Sequence, residues 1–320
     1  MDVQPGTPFR PPVDEVAALV TEWYDLGKVT EVCLYRAWTN AVYEVTTSGG
    51  RYVLKCYRPG WRTLSEIGWE IDLLDHLARR GARVALAIRS RNGEAVVPLR
   101  AGPDAPLAVL FVFAAGEKPE PPFPPELYER EGRAVAELHA ALDTFRSQHH
   151  RPALDLVALL DRPLAHIIPL VTDATSRREL LAAADVLRNR ISALAAQGLD
   201  WGPCHGDLTF DNLHLTSEGE FVWYDFDSGG PGWRALDIQG WSAFEPAWRP
   251  LGDAFVAGYR AVRPLSDANL AAAPLLTLTQ DVWGLSLDLR YHVDRQDDRT
   301  LDSHLGTAIG GLIARFALID

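Results

Sequence analysis

The chain has 320 residues, with 31 Lys and Arg against 43 Asp and Glu for a net charge of −12, and this length accommodates two modest domains or one large one. A hydrophobic fraction of 47% and a charged fraction of 23% fit a soluble globular protein and exclude a disordered or fibrous one. The acid excess disfavours nucleic acid or an anionic membrane surface as main partner and would suit a cationic ligand, and no run approaches the roughly eighteen apolar residues of a membrane span.

The segment Met1–Pro12 has an acidic second residue, two adjacent prolines and no apolar run, so it reads as a short tail of a cytoplasmic protein rather than a secretory signal. Val16, Leu19, Val20, Trp23 and Leu26 then recur at helical spacing after Asp14-Glu15 and before Gly27, which predicts an opening helix. From Glu31 to Arg58 the residues become β-branched and aromatic, with breaks at Trp38-Thr39-Asn40 and Ser48-Gly49-Gly50; three antiparallel strands are expected. Thr63-Leu64-Ser65-Glu66 is a capping box, followed by the stripe Ile67, Ile71, Leu74 and Leu77, so a helix starts here. Strands over Glu94–Leu99 and Leu107–Phe113 complete a five-stranded sheet carrying one helix.

Five prolines between Gly116 and Pro125 can continue neither strand nor helix. The lobe boundary is placed here, giving an N-lobe over 1–115 and a C-lobe over 116–320. Beyond it helices are expected from Glu126 to Leu142, from Arg177 to Ala196 and near the C-terminus. An island of another kind lies between Trp201 and Gly232, with a hairpin turning at Ser217-Glu218-Gly219-Glu220. Cys33, Cys56 and Cys204 are odd in number, far apart and form no CxxC, so neither a disulfide framework nor a zinc site is expected. His149-His150 reads as an exposed pair, since adjacent side chains seldom converge on one ion.

The island holds His205-Gly206-Asp207-Leu208-Thr209-Phe210-Asp211-Asn212, a hairpin, and then Asp225-Phe226-Asp227. Phosphoryl transfer needs a carboxylate beside the attacking hydroxyl and oxygen ligands for Mg²⁺ on the phosphates. Asp207, Asn212 and Asp225 supply that set: the five-residue gap lets one loop present base and amide oxygen, and the hairpin returns Asp225. The bland alternative has these polar groups merely capping turns.

The segment resembles the catalytic core of the aminoglycoside phosphotransferase and choline kinase superfamily, which shares an HxDxxxxN loop and a following metal-binding aspartate with protein kinases. The run Asp225–Ile238 is also similar to bacterial homoserine-kinase and stress-response-kinase members, as is Tyr57-Arg58-Pro59-Gly60-Trp61. The resemblance implies a two-lobed protein-kinase-like α+β fold, with the five-stranded antiparallel sheet in a nucleotide-binding N-lobe and the catalytic loop in a larger, mainly helical C-lobe. It implies ATP and Mg²⁺ as cofactors, ATP lying between the lobes, Asp207 as catalytic base, and Asn212 and Asp225 as metal ligands. Lys55 on the third strand would grip the phosphates. A glutamate on the next helix would orient it; Glu70 is preferred because Glu66 is committed to the cap. Leu110–Ala115, with Phe111 and Phe113, would contact adenine.

The sequence departs from the protein-kinase pattern in several places. The glycine-rich loop is replaced by Ala37-Trp38-Thr39-Asn40-Ala41, so phosphate contacts there would come from Asn40, Thr39 or turn amides. Asp227 replaces the DFG glycine and would ligate a second metal or bind neighbouring backbone. His205 and Asp237 read as scaffold, holding the loop by hydrogen bonds. Asp211, Trp241, Glu245, Asp281, Trp283, Asp288 and Tyr291 are candidates for an acidic, aromatic acceptor pocket that would favour an amine-bearing alcohol, although the tryptophans equally suit a core. The expected activity is transfer to a small-molecule hydroxyl, as in antibiotic inactivation or the metabolism of an amino alcohol or sugar. A stress-response-type protein Ser/Thr kinase and a non-catalytic nucleotide-binding scaffold are the competing readings; oligomeric state is not legible.

Overall fold

The computed structural model describes residues 9–102, 104–291 and 298–318, so residues 1–8 of the expected tail lie outside it. The described residues form two compact units. The first runs to Glu117 and also takes in Arg146–Arg151 and Leu213–Asp227; the second comprises Lys118–Phe145, Pro152–Asn212 and the chain from Ser228 onward. The single cut expected after residue 115 therefore leaves out two short returns of the chain.

In the first unit α1 (Val13–Trp23) carries Asp14 and Glu15 in its first turn, where they complement the helix dipole, and buries Val16, Leu19 and Val20. Strands β1 (Val29–Ala37), β2 (Ala41–Thr47) and β3 (Gly50–Cys56) follow, then α2 (Leu64–Arg79), β4 (Val97–Pro98) and β5 (Leu107–Val112). They make a five-stranded sheet in the order β1-β2-β3-β5-β4, antiparallel throughout. Alternate residues of β2, including Tyr43 and Val45, are buried against α1 residues, as period-2 patterning demands. β4 is far shorter than the expected Glu94–Leu99, since Pro98 has no N–H for a longer ladder. The capping box of α2 is formed: Glu66 N donates to Thr63 Oγ1 at 3.2 Å and Thr63 N donates to Glu66 Oε2 at 2.7 Å.

The second unit is helical around a small sheet. It contains α3 (Pro125–Leu142), α4 (Arg162–Ile167), α5 (Ala174–Ala195) and β6 (Trp201–Cys204). The chain then contributes β7 (Leu213–Leu215) and β8 (Phe221–Trp223), a hairpin belonging to the first unit, where Trp223 exchanges backbone hydrogen bonds with Arg83 and Ala85. Back in the second unit come β9 (Gly230–Trp233), antiparallel to β6, and α6 (Arg249–Arg260), α7 (Asp267–Tyr291) and α8 (Asp298–Phe316). Its core joins Leu180, Leu187 and Ile191 of α5 to Leu275, Val282 and Leu289 of α7 and Leu305 and Ile309 of α8. Helices α3 and α6 cross at Gly132 and Gly258, where an added Cβ would run into the carbonyl oxygens of Phe255 and Glu129 respectively. Among the described residues no helix is long and apolar enough to cross a membrane, and the three cysteines are free, with Cys56 and Cys204 buried.

Candidate active site

Lys55 lies on β3, only 5% exposed, between the fully buried Leu54 and Cys56. Its ammonium contacts Asp225 Oδ1 at 2.7 Å and Glu70 Oε1 at 3.3 Å. Burial opposes the charge, but Asp225 and Glu70 outweigh it and hold the lysine pKa well above its usual value. Glu70, 1% exposed on α2, also accepts from Tyr57 Oη at 3.2 Å; burial draws its carboxyl upward against the pull of Lys55. Of the two glutamates one turn apart, Glu70 meets Lys55 and Glu66 closes the cap. Asp225 follows the β7–β8 hairpin with φ of +62°, the left-handed region that non-glycine residues enter at a cost of about 1–3 kcal/mol. That backbone turns its carboxylate to Lys55.

Asp227 is fully occupied by protein donors. Its Oδ2 accepts from Trp61 Nε1 at 2.7 Å and Asn40 Nδ2 at 2.9 Å, its Oδ1 accepts from Arg62 Nε at 3.0 Å, and Arg62 and Arg151 both donate to its backbone carbonyl. Burial would raise its pKa, yet the charges of Arg62, Lys55 and Arg151 reverse this and hold it far below the usual carboxylate range. Both carboxylate oxygens of Asp227, expected to ligate a second metal or bind neighbouring backbone, take hydrogen bonds from side chains in this structure. Asn40, expected to reach phosphate, is likewise committed, because its amide nitrogen serves Asp227 and its Oδ1 accepts from Arg58 N at 3.2 Å. Arg58 in turn donates through Nε to Thr39 O at 3.1 Å. The segment Tyr57–Trp61 is thus the strut that ties Glu70, the β1–β2 turn and Asp227 into one arrangement.

Within Leu110–Ala115, Leu110 O and Val112 N are bonded to Ile88 N at 2.7 Å and Leu86 O at 2.9 Å, and Ala114 O meets His214 Nδ1 at 2.9 Å. Those groups are spoken for, which narrows an adenine-binding role to what remains of the stretch. Phe111 is buried, 5.5 Å from the Lys55 ammonium, and the guanidinium of Arg51 lies 3.8 Å above the ring of Phe113.

In the second unit the loop His205–Asn212 is suspended from Asp237. Its carboxylate accepts from His205 N at 2.7 Å and Gly206 N at 2.8 Å, and from His139 Nε2 at 3.1 Å. A carboxylate only accepts, so the His139 proton sits on Nε2 and Nδ1 accepts from Tyr259 Oη at 2.8 Å. Burial depresses the His139 pKa, and burial of Asp237 is overcome by its bond to His139, leaving the carboxylate below its usual value. His205 Nδ1 accepts from Asp207 N at 3.3 Å, the bracing role expected of it. Asn212 donates through Nδ2 to Asp207 O at 2.8 Å and Asp207 Oδ2 at 2.9 Å, which fixes the amide and leaves its Oδ1 for another partner. Asp207 itself is exposed.

A pocket of about 260 Å³ in the second unit is lined by the expected Asp211 and Trp241 and by Phe123, Tyr128, Glu131 and Phe210. Asp281 instead pairs with Arg315 at 2.8 Å, Glu245 is exposed, Trp283 packs on the core, and Asp288 and Tyr291 do not line the pocket. His139, Tyr259, Arg62, Arg151 and Glu131 were not anticipated. Only Glu131 carried a legible signal, as a carboxylate at helical spacing among Tyr128, Val135 and Leu138 on the apolar face of α3.

Comparison with known proteins decides the family. Residues 33–271 match the model of the phosphotransferase enzyme family, APH. The chain belongs to this family and is a kinase. An uncharacterized protein of Deinococcus radiodurans is 39% identical over 85% of this chain and 80% of its own length. A homoserine kinase of Xanthobacter autotrophicus is 30% identical over 79% of the chain and 78% of its own. A solved amicoumacin kinase in complex with AMP-PNP and Ca²⁺ is 21% identical and aligns with a TM-score of 0.74, covering 93% of each chain, a likeness of fold. The two-lobed, protein-kinase-like α+β fold expected from the sequence is therefore the fold of this kinase. Its oxygen donors suit a hard divalent cation, which commonly binds through one or two carboxylates with phosphates and water completing the shell. Among the described residues no group of three His, Cys, Asp or Glu side chains could hold a metal ion by itself.

Proposed function

We propose that this kinase transfers the γ-phosphoryl group of ATP to a hydroxyl of a small molecule, with Mg²⁺ supplied on the nucleotide. The observation that carries the reading is the buried Lys55–Glu70 pair with Asp225 beside it, at 3.3 Å and 2.7 Å from the ammonium. A lysine kept charged in a buried site suits phosphate oxygens, and a partly exposed aspartate on a strained backbone suits a cation on those phosphates. Magnesium would neutralise charge on the phosphates; the Asp225 carboxylate and the Asn212 Oδ1 are the oxygens that would hold it.

Asp207 takes the role of base. Its carboxylate, oriented by the Asn212 amide, accepts a hydrogen bond from the acceptor hydroxyl and aligns it. As the hydroxyl oxygen bonds to the γ-phosphorus, the bond from that phosphorus to the bridging oxygen of ADP breaks and the hydroxyl proton passes to Asp207. The acceleration comes from positioning and charge neutralisation rather than from a covalent intermediate on the protein. The family match and the homoserine kinase relative support a small-molecule acceptor.

The test is ADP release against a panel containing L-homoserine, choline, sugars and aminoglycosides, with Asp207→Asn as the blank. Turnover of the variant should fall by about 10²–10⁴-fold, the usual worth of a positioned base, while calorimetric ATP affinity stays near that of the parent. Equal turnover by both proteins removes Asp207 from the role. Label from γ-labelled ATP in protein bands of a lysate, with none in small solutes, moves the acceptor to protein.

A further inference from the structure

The peptide unit that leads into Asp207 is gripped at both of its polar ends. Its carbonyl oxygen, that of Gly206, accepts from Gln280 Nε2 at 2.9 Å, and its N–H, that of Asp207, donates to His205 Nδ1 at 3.3 Å. A peptide unit is planar, so two such bonds fix its orientation. The plane before it is held by Asp237 through the Gly206 N–H at 2.8 Å, and the plane after it by Asn212 Nδ2, which donates to Asp207 O at 2.8 Å. Gly206 has φ of +78°, and a Cβ there would lie 2.5 Å from Ser228 O, so glycine alone suits this turn.

His205 and Asn212 belong to the loop and move with it. Gln280 does not: it stands on α7, where Leu276 and Thr279 beside it have no exposed area and Thr279 Oγ1 donates to Leu276 O at 2.7 Å. A carbonyl oxygen only accepts, so the Gln280 amide must present its nitrogen. This bond therefore ties the helical core of the second unit to the backbone one residue before Asp207. With Asp207 Oδ2 accepting from Asn212 Nδ2 at 2.9 Å, the freedom left between the gripped plane and the carboxylate is φ of Asp207 and its side-chain torsions.

We propose that Gln280 is a positioning residue for phosphoryl transfer: by holding the Gly206 carbonyl oxygen it sets the peptide plane that leads into Asp207 and so aims the carboxylate. Its effect on turnover rests on the reading of Asp207 as base; its hold on the loop does not. Gln280 touches no reacting atom in this scheme. Without its donor the plane keeps His205 as a partner, but that partner rotates with the loop, and the carboxylate loses its fixed direction. A glutamine that merely filled space on α7 would change Tm and leave the balance of kcat and KM alone.

The experiment compares the full chain with Gln280→Ala, which removes the donor, and Gln280→Glu, which keeps the shape but cannot donate while ionised. Amide hydrogen exchange at Gly206 and Asp207 reads the tie without any substrate, and protection there should fall at least about 10-fold in Gln280→Ala, as expected when a local opening becomes easier. ADP release with the best acceptor of the panel reads the consequence: kcat should fall about 10–100-fold in both variants, the scale of a group displaced by about an ångström, with KM for ATP within about 2-fold of the parent. A protonated carboxyl can donate, so the kcat of Gln280→Glu relative to the parent should climb as pH falls from about 8 toward about 5, nearer the ordinary glutamate pKa. The same ratio for Gln280→Ala should stay level, since titration of His205, Asp207 and Asp237 is common to all three proteins. Unchanged exchange in Gln280→Ala overturns the proposal, as does a parent-like kcat in that variant while Asp207→Asn is inactive. Faster exchange with turnover untouched in both Gln280→Ala and Asp207→Asn upholds the tie and sinks the base reading instead.

Discussion

Asp227 stands where protein kinases have a small residue, and it holds the chain by gathering Trp61, Arg62, Asn40 and Arg151 around itself. Its carboxylate is the counter-charge for two guanidiniums of which Arg151 is 1% and Arg62 13% exposed in their side chains. Removing one partner of a buried pair strands the other, at a cost of about 3–5 kcal/mol. Asp227→Asn should therefore lower the urea midpoint of the first unit's transition by a corresponding amount with the slope unchanged; a loss below about 1 kcal/mol would mean that the cage contributes little. The sequence exposed Asp227 as unusual but not its partners, because Arg62 and Arg151 are 165 and 76 positions away. Residues of the loop were legible for the opposite reason: Asp207 and Asn212 sit five apart, so spacing alone brought the carboxylate and the amide together.

Elements were readable where local chemistry sets them. Thr63 and Glu66 announce α2, and the alternation in Ala41–Thr47 announces β2. The pair β6 and β9 escaped notice because Trp201-Gly-Pro-Cys and Gly230-Pro-Gly-Trp have neither β-branched residues nor a common turn, and their register is fixed by tertiary context. The crossing of α3 and α6 is of the same kind: nothing in the sequence singles out Gly132 and Gly258, yet each lies against the other helix's backbone. Gly258→Ala should lower Tm, since overpacking costs about 1–3 kcal/mol and the better helix propensity of alanine returns at most about 1 kcal/mol. Gly284, on α7, meets nothing within 4 Å of an added Cβ. Gly284→Ala should accordingly leave Tm equal or higher, and a fall equal to that of Gly258→Ala would show that helix contact is not what separates the two sites.

At the scale of the molecule, pH acts on buried carboxylates in opposite directions. Asp227 and Asp237 are held below the usual range by their partners. They stabilise the fold above the ordinary aspartate pKa, and that stability is lost as pH falls through their depressed values. Glu131 behaves in reverse: burial lifts its carboxyl to about 8 from 4.5. The folded chain then keeps a proton that the unfolded chain has released, so stability is whole below about pH 4.5 and declines as pH rises to about 8. One pKa unit corresponds to about 1.4 kcal/mol, so this one group contributes a few kcal/mol to the slope. The net charge of −12 adds self-repulsion in the same direction. Replacing the acid with an amide that does not titrate should remove the Glu131 share. Glu131→Gln is expected to match the parent in Tm near pH 4.5 and to exceed it near pH 8 by about 5–10 °C, given roughly 2–4 °C per kcal/mol for a unit of this size. Parallel Tm curves for the two proteins from pH 4.5 to 8 would show that Glu131 is ionised in the folded state throughout.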